Sequence, residues 1–441
     1  MNKYLGAISY CCFIYILFLA TGCLPRVSQE AEANPPVAFR ISEAGKAAAS
    51  PFLTQDQHGN PVLCWVQATD TAGNYLLYYA ASADGGQTFG TPKAILTTKG
   101  VYPHDENLSK ILYKKNGDMI AMYAVSNPSE ENSYAGLVYY TQSFDGGKSW
   151  TAPRQLSESG AGSIDERYFD MALLPNGDVA AVWLDSRKDI GMGEPAADKD
   201  MQMHGDMDMG MHMDKEGSSL YYASTSGRGG FSGEKVLDQH LCQCCRTDLY
   251  VDEKGQLHVA YRGILNDSIR DMMHLVSTDN GNSFSEPERI SPDNWAIDGC
   301  PHTGPTMASN SQGMHYAWFT MGGGSGVFYS HQPSGGTFTP RAPVSNVPSA
   351  KHPQLAAFGN GMLALVWDER VPQRGQTNHG VSLQVRSETG EHLSTSRLTP
   401  DSVTAVFPVI TPVSDSRLLV AYTVKDSEAG EVWCQVVPVK E

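Results

Sequence analysis

A short segment returns along this chain, and its recurrence limits the fold more than any other feature. Tyr139–Trp150 reads YYTQSFDGGKSW; Ser82–Phe89 (SADGGQTF) repeats its second half upstream and Ser277–Phe284 (STDNGNSF) repeats it downstream. Two worn copies end at Phe231 (from Ser224) and Phe338 (from Ser330). Each copy is a β-rich run, then Asp and Gly to supply side-chain hydrogen bonds and positive φ, then an aromatic plug. That is the chemistry of a hairpin turn. The closing aromatics stand at 89, 150, 231, 284 and 338, which are 61, 81, 53 and 54 residues apart. A repeat of this length signals an array of similar units.

These turns resemble the Asp box, the bacterial neuraminidase repeat S-x-D-x-G-x-[ST]-[WF], fully in three copies and partly in two. The resemblance implies a sialidase-like β-propeller. The Asp box shapes a turn and assigns no chemistry. A second pattern counts the blades: an apolar strand, a turn with Gly or Asn, then an apolar strand ending near Trp or Tyr. It runs Pro51–Trp65, Leu108–Tyr123, Phe169–Trp183, Thr247–Tyr261, Gly304–Trp318, Pro353–Trp367 and Phe407–Tyr422. The first six pairs are followed by a third strand and a short fourth one. The last is followed only by Glu431–Val439, so its blade is one strand short, and Val37–Ile41 is the segment that completes it. The expected fold is all-β: a seven-bladed β-propeller of four-stranded antiparallel blades, its ring closed by an N-terminal strand. The six-bladed sialidase fold is the alternative. Sustained helical periodicity is absent from the sequence, so little helix is expected. Propeller topology places the leads into first strands on one face with the loops joining second to third strands. The Asp-box turns then lie on the opposite face.

Residues 1–22 carry one charge, Lys3, and an apolar run from Cys11 to Ala20, then Thr21-Gly22-Cys23. This order describes a secretory signal. The segment resembles a bacterial lipobox with Cys23 as the lipidated first residue, although Ala20 stands where Leu is commonest; plain secretion is the alternative. Residues 23–36 form a polar tether, and 37–441 a single propeller domain with an insertion at 192–213. The formal net charge is −16, so nucleic acid is not an expected partner. The expected location is the bacterial cell envelope. There the lipid anchor alone meets the membrane, on the outer membrane facing the periplasm or the surface.

The insertion explains the 81-residue gap. Residues 192–213 hold seven of the 17 methionines, among them Met201, Met203, Met207, Met209, Met211 and Met213, with His204 and His212. Alternating Met and Asp has no face to bury. Thioether and imidazole together select soft cations, above all Cu(I). A disordered acidic insertion is the bland alternative. The second chemical stretch is His240-Leu241-Cys242-Gln243-Cys244-Cys245-Arg246, leading into blade 4, with Cys300-Pro301-His302 in the corresponding position of blade 5. Cys242, Cys244, Cys245, Cys300 and His302 are candidate ligands for copper, with zinc as a second fit. A structural disulfide is the competing reading for an exported chain. His104 and His352 lead into blades 2 and 6, and each alone reads as a hydrogen-bonded channel residue. Arg167, Arg246, Arg262 and Arg270 are candidates for holding a small anion.

Sialidase resemblance also implies an arginine triad, a Tyr/Glu nucleophile pair and an acidic proton shuttle. Phe39-Arg40-Ile41-Ser42 looks like the first arginine motif for three letters but precedes blade 1, whose lead-in (Ala48-Ala49-Ser50-Pro51) has no arginine. Tyr422 is a nominal nucleophile with Glu106 or Glu166 as partner. The sequence therefore points to an exported, lipid-anchored propeller that binds copper through one face, as a copper handler or a cuproenzyme. Exo-α-sialidase or related glycoside hydrolase activity is the alternative, and a non-catalytic scaffold a further one.

Overall fold

The computed structural model describes residues 37–70, 73–129, 132–158, 162–187, 217–297, 299, 301–373, 376–425 and 430–439. They build seven four-stranded antiparallel sheets. Blade 1 comprises Ala48–Gln55, Pro61–Ala68, Tyr75–Ala81 and Lys93–Ile95, and blade 2 Lys110–Tyr113, Met119–Ser126, Gly136–Ser143 and Arg154–Gln155. Blade 3 comprises Glu166–Leu173, Val179–Asp185, Ser218–Thr225 and Phe231–Leu241, and blade 4 Asp248–Val251, Leu257–Arg262, Met272–Ser277 and Glu288–Arg289. Blade 5 comprises Thr306–Asn310, Gly313–Thr320, Gly326–Pro333 and Ala342–Pro343, and blade 6 Lys351–Ala357, Leu363–Gln373, Gln376–Arg386 and His392–Arg397. Blade 7 joins Ala405–Ser414, Arg417–Val424 and Glu431–Pro438 to Phe39–Arg40 from the other end of the chain. Phe39 lies opposite Cys434 and Arg40 opposite Trp433. A single turn of 3-10 helix, Leu96–Thr98, is the only helix among the described residues.

Buried apolar residues fall into seven clusters, each lying between two neighbouring blades, including one between blades 7 and 1. The aromatic near the end of each second strand fills the same place in its blade. It is Trp65, Trp183, Trp318 and Trp367 in blades 1, 3, 5 and 6, and Tyr123, Tyr261 and Tyr422 in blades 2, 4 and 7, all buried. A buried indole N–H needs an acceptor. In three blades it lies two residues on: Gln67 Oε1 at 3.1 Å, Asp185 Oδ2 at 3.3 Å and Glu369 Oε2 at 2.7 Å.

The Asp boxes are built alike. In blade 4, Ser277 Oγ donates to Asp279 Oδ1 (2.8 Å) and accepts the Gly281 amide (2.8 Å), while Ser283 donates to Asp279 through both its hydroxyl (2.6 Å) and its amide (2.9 Å). Asp84 and Asp145 repeat this pattern. Hydroxyl and amide donors from the residue four positions on hold all three carboxyls down at about 2. The glycine two positions after the Asp serves a second purpose in blades 2 and 4. A Cβ on Gly147 or Gly281 would strike the hydroxyl of Tyr79 or Tyr222, which reaches over from the preceding blade.

Gly281 (φ 83°) and Gly227 (φ 58°) both have left-handed backbone, but a Cβ on Gly227 would meet nothing within 4 Å. Gly227→Ala should therefore cost only the strain, about 1 kcal/mol. Gly281→Ala should cost about 1–3 kcal/mol more from overpacking; chemical denaturation of the two variants measures the difference. A carboxyl whose pKa is depressed on folding stabilises the fold above its unfolded value, about 3.9, and loses that contribution as pH falls through the folded value. Thermal melts should thus show stability falling between about pH 4 and pH 2, with a shallower fall in Asp279→Asn.

Candidate functional site

The chain crosses from each blade to the next at the inner ends of the first strands, and polar side chains join neighbouring blades there. Ser50 Oγ accepts the His104 amide (3.1 Å), Asn107 Oδ1 the Tyr168 amide (2.8 Å), and Asp170 Oδ2 the Leu249 amide (3.0 Å). Asp248 Oδ2 accepts the Met307 amide (2.6 Å), Thr306 Oγ1 the Leu355 amide (3.1 Å), and Asp368 Oδ2 the Phe407 amide (2.9 Å). At four of these crossings the first strand is bulged and a non-glycine residue has positive φ: Ser50 at 58°, Tyr168 at 55°, His352 at 53° and Phe407 at 52°. Such backbone is costly for bulky residues, and it re-aims side chains.

Cys242, Cys244 and Cys245 follow the last strand of blade 3, and the Cys242 amide is tied to Arg262 O of blade 4 at 3.1 Å. All three are buried, and no disulfide joins them to one another. Cys242 Sγ lies 3.4 Å from Cys244 Sγ and 3.6 Å from Cys245 Sγ, and the three sulfurs lie within 4.8 Å of one another. With metal–sulfur bonds of about 2.3 Å, trigonal or tetrahedral thiolates stand roughly 3.8–4.0 Å apart, so an ion would need only a few tenths of an ångström of spreading. Hydrogen bonds from the Cys244 and Cys245 thiols push the Cys242 thiol well down, against burial, with Arg262 and Arg270 adding to the effect. Burial pushes Cys245 up to about 11, and its hydrogen bond to Cys242 acts the same way. The three sulfurs form a compact soft donor set, in which the Cys242 thiol is more acidic than that of Cys245.

The four arginines divide. Arg262 is buried and donates to the carbonyls of Arg270 (2.9 Å), Phe319 (2.8 Å) and Thr303 (3.3 Å), and Arg270 donates to Ile297 O (3.2 Å). These two brace the backbone through the donors named, and their charge helps to lower the Cys242 thiol. Arg167 pairs with Asp165 Oδ2 at 2.6 Å. Arg246 donates to Pro353 O (3.2 Å) and stands 3.6 Å from Glu106 Oε1. His302 is exposed and close enough to His104 to depress its basicity. Cys300 and the whole 192–213 segment (Met201, Met203, His204, Met207, Met209, Met211, His212 and Met213), like Cys23, lie outside the described residues.

Glu106 was visible in the sequence only as a nominal carboxylate. The fold buries it to 4 % exposure, with no hydrogen bond to either carboxyl oxygen. Burial pushes its pKa up, against the pull of Arg246 and His352. His352 Nε2 stands 3.9 Å from Glu106 Oε1, and His352 Nδ1 bonds to Asp368 Oδ2 at 2.6 Å. His379 Nδ1 is 3.6 Å from the other Asp368 oxygen. Burial would raise the Asp368 carboxyl, but His352 and the Phe407 amide hold it at about 2. Asp368 and His379 carried no signal in the sequence, because they sit on second and third strands of blade 6 and meet His352 only through the sheet. His104 Nδ1 accepts the amides of Glu106 (3.2 Å) and Asn107 (3.0 Å), a local motif as expected for a channel histidine.

The residues nominated for sialidase chemistry are not brought together. Tyr422 is packed in the core between blades 6 and 7. Glu166 accepts the Val138 amide (2.9 Å) and Gln155 Nε2 (2.7 Å). Arg40 lies in the closing strand, paired with Glu431 at 2.7 Å.

Residues 77–312 match the model of the BNR repeat-like domain. The comparison with curated proteins gives no match. Among solved structures, the BP39L lectin of Burkholderia pseudomallei aligns at 13% identity with a TM-score of 0.54, over 91% of this chain and 100% of its own. A protein of unknown function from Dyadobacter fermentans aligns at 14% identity and 0.50, over 91% and 99%. A mutant NanB sialidase of Streptococcus pneumoniae aligns at 10% identity and 0.47, over 89% and 85%. At these identities the likeness concerns the fold alone.

Proposed function

The chain belongs to the BNR repeat-like domain family, and from that premise we propose that this sialidase-like propeller binds copper, with Cys242, Cys244 and Cys245 as the ligands of a Cu(I) site. The observation that carries the reading is the three buried sulfurs held within 4.8 Å of one another at a blade crossing. Soft thiolates favour Cu(I), with Zn(II) as the competitor. Arg262 and Arg270 lower the cost of ionising the cluster before an ion arrives. The methionines and histidines of residues 192–213 supply the exchangeable thioether and imidazole chemistry that copper delivery needs, which supports copper over zinc. The family and the fold leave the chemistry open, so the reading rests on these side chains.

Binding without turnover is sufficient for this reading. A copper handler needs only an acceptor and a donor of the ion, whereas a cuproenzyme needs an open coordination position as well. The glycoside hydrolase alternative requires two placed carboxyl groups about 5–10 Å apart across a substrate. Glu106 is the one carboxylate at the crossings that is both buried and without hydrogen bonds among the described residues that lead into the blades.

Export by a lipidated Cys23 is part of the proposal, since a thiol site for copper suits an envelope protein that meets the metal first. Two measurements test it. Anaerobic titration against a chromophoric Cu(I) chelator should show one tight Cu(I) per chain, absent from the Cys242→Ser/Cys244→Ser/Cys245→Ser variant; no uptake by the wild type sinks the copper reading. Cells fed labelled palmitate should label the wild-type protein, and Cys23→Ser should abolish the label; an unlabelled wild type leaves secretion without an anchor.

A further inference from the structure

Glu106 and His352 present a problem that the thiol site does not solve. Glu106 is 4 % exposed and makes no hydrogen bond through either oxygen. Its neighbours stop short: Arg246 Nη1 at 3.6 Å and His352 Nε2 at 3.9 Å, beyond hydrogen-bonding reach. Buried carboxylate oxygens are normally satisfied, and an exception asks for a missing partner. His352 is meanwhile anchored through its other nitrogen. Its Nδ1 is 2.6 Å from Asp368 Oδ2, and that carboxylate also accepts the Phe407 amide. In the neutral tautomer that donates from Nδ1 to this carboxylate, the Nε2 lone pair faces Glu106. The φ of 53° at His352 and the contact of its ring with Phe407 (4.0 Å between centroids) lock the orientation. Glu106 Oε1 and His352 Nε2 thus face each other across 3.9 Å.

We propose that Glu106 and His352 form a second metal site in the channel, for a divalent cation of the Cu(II) or Zn(II) class, separate from the thiols. An imidazole that gives its far N–H to a carboxylate is the usual arrangement of a ligating histidine. The hard oxygen and borderline nitrogen suit a divalent ion, whereas the thiols suit a soft one. A cation about 2.0–2.1 Å from each donor fits between them with a donor–metal–donor angle of roughly 140–150°. Water or a ligand completes the shell. Arg246 faces the carboxylate and opposes the ion's charge, so the site should exchange its metal readily. His104 is not a third ligand: its Nδ1 already accepts two amides, which leaves Nε2 protonated. Asp368 is the positioning residue, acting through His352, with His379 at its other oxygen. Cys245 is close enough to Glu106 to affect its ionisation, so the two sites share one neighbourhood.

The test uses the full chain, first loaded anaerobically with Cu(I), which is silent in electron paramagnetic resonance, and then titrated with Cu(II) chloride. A parallel titration uses the Cys242→Ser/Cys244→Ser/Cys245→Ser variant without Cu(I), so that no thiol of the cluster reduces the Cu(II) and failure of the thiol site leaves this one readable. One Cu(II) with nitrogen hyperfine structure is expected. Glu106→Gln, His352→Gln and Asp368→Asn should each weaken it by about 10–100-fold, and the Asp368 variant should also alter the nitrogen coupling. Unchanged binding in all three variants overturns the proposal. Should the variants fail to fold, diethyl pyrocarbonate labelling of the wild type decides, read by mass spectrometry. Protection of His352 by Cu(II) supports the site, and equal labelling with and without the ion overturns it.

Discussion

Closure of the ring by Phe39 and Arg40 is the constraint on which everything else in this propeller depends. The two residues complete blade 7 against Glu431–Pro438. The closure is reinforced by the Ile41 amide bonding to Val432 O (3.0 Å), the Val432 amide bonding to Ser42 Oγ (3.0 Å), and the Arg40–Glu431 pair. Every apolar cluster lies between two blades, so none is complete until its neighbours are in place. The cluster between blades 7 and 1 joins the two ends of the chain. Contacts so distant in sequence have a high entropic cost before they return any burial, and they convert seven marginal sheets into one cooperative body.

On that frame the two faces do different work. The Asp-box face spends its polar groups on itself: carboxylates cap turns, and glycines make room for a tyrosine hydroxyl from the preceding blade. The other face spends its polar groups between blades, where Ser50, Asn107, Asp170, Asp248, Thr306 and Asp368 each accept an amide of the following blade. Strained backbone is concentrated at the same crossings. The clustered sulfurs of Cys242, Cys244 and Cys245 and the Glu106 carboxylate facing His352 lie among these crossings. Their chemistry differs, soft beside hard, and the two metal-site proposals rest on that difference.

Much of this architecture was legible before any coordinates. The seven strand pairs, the missing strand of the last blade and its replacement from Val37–Ile41 follow from local patterns, because turn chemistry and strand alternation act over a few residues. Cys242, Cys244 and Cys245 were legible as a cluster for the same reason: two or three positions of extended chain bring them together. Arg262 and Arg270 were legible only as charges, since the sequence does not show which carbonyls their donors meet. Tyr422 illustrates the same limit, for its place in a second strand made it core.

What the sequence determined by itself was the repeating unit, the number of units and the residue types delivered to the crossings, all set by interactions among near neighbours. Which of those residues meet was decided only by the tertiary structure. Glu106, His352 and Asp368 come from blades 2 and 6, and they are joined only when the ring closes and burial strips Glu106 of water. The balance of burial, charge and hydrogen bonding that shapes such a site is a property of the enclosed space, and no segment of the chain contains it alone.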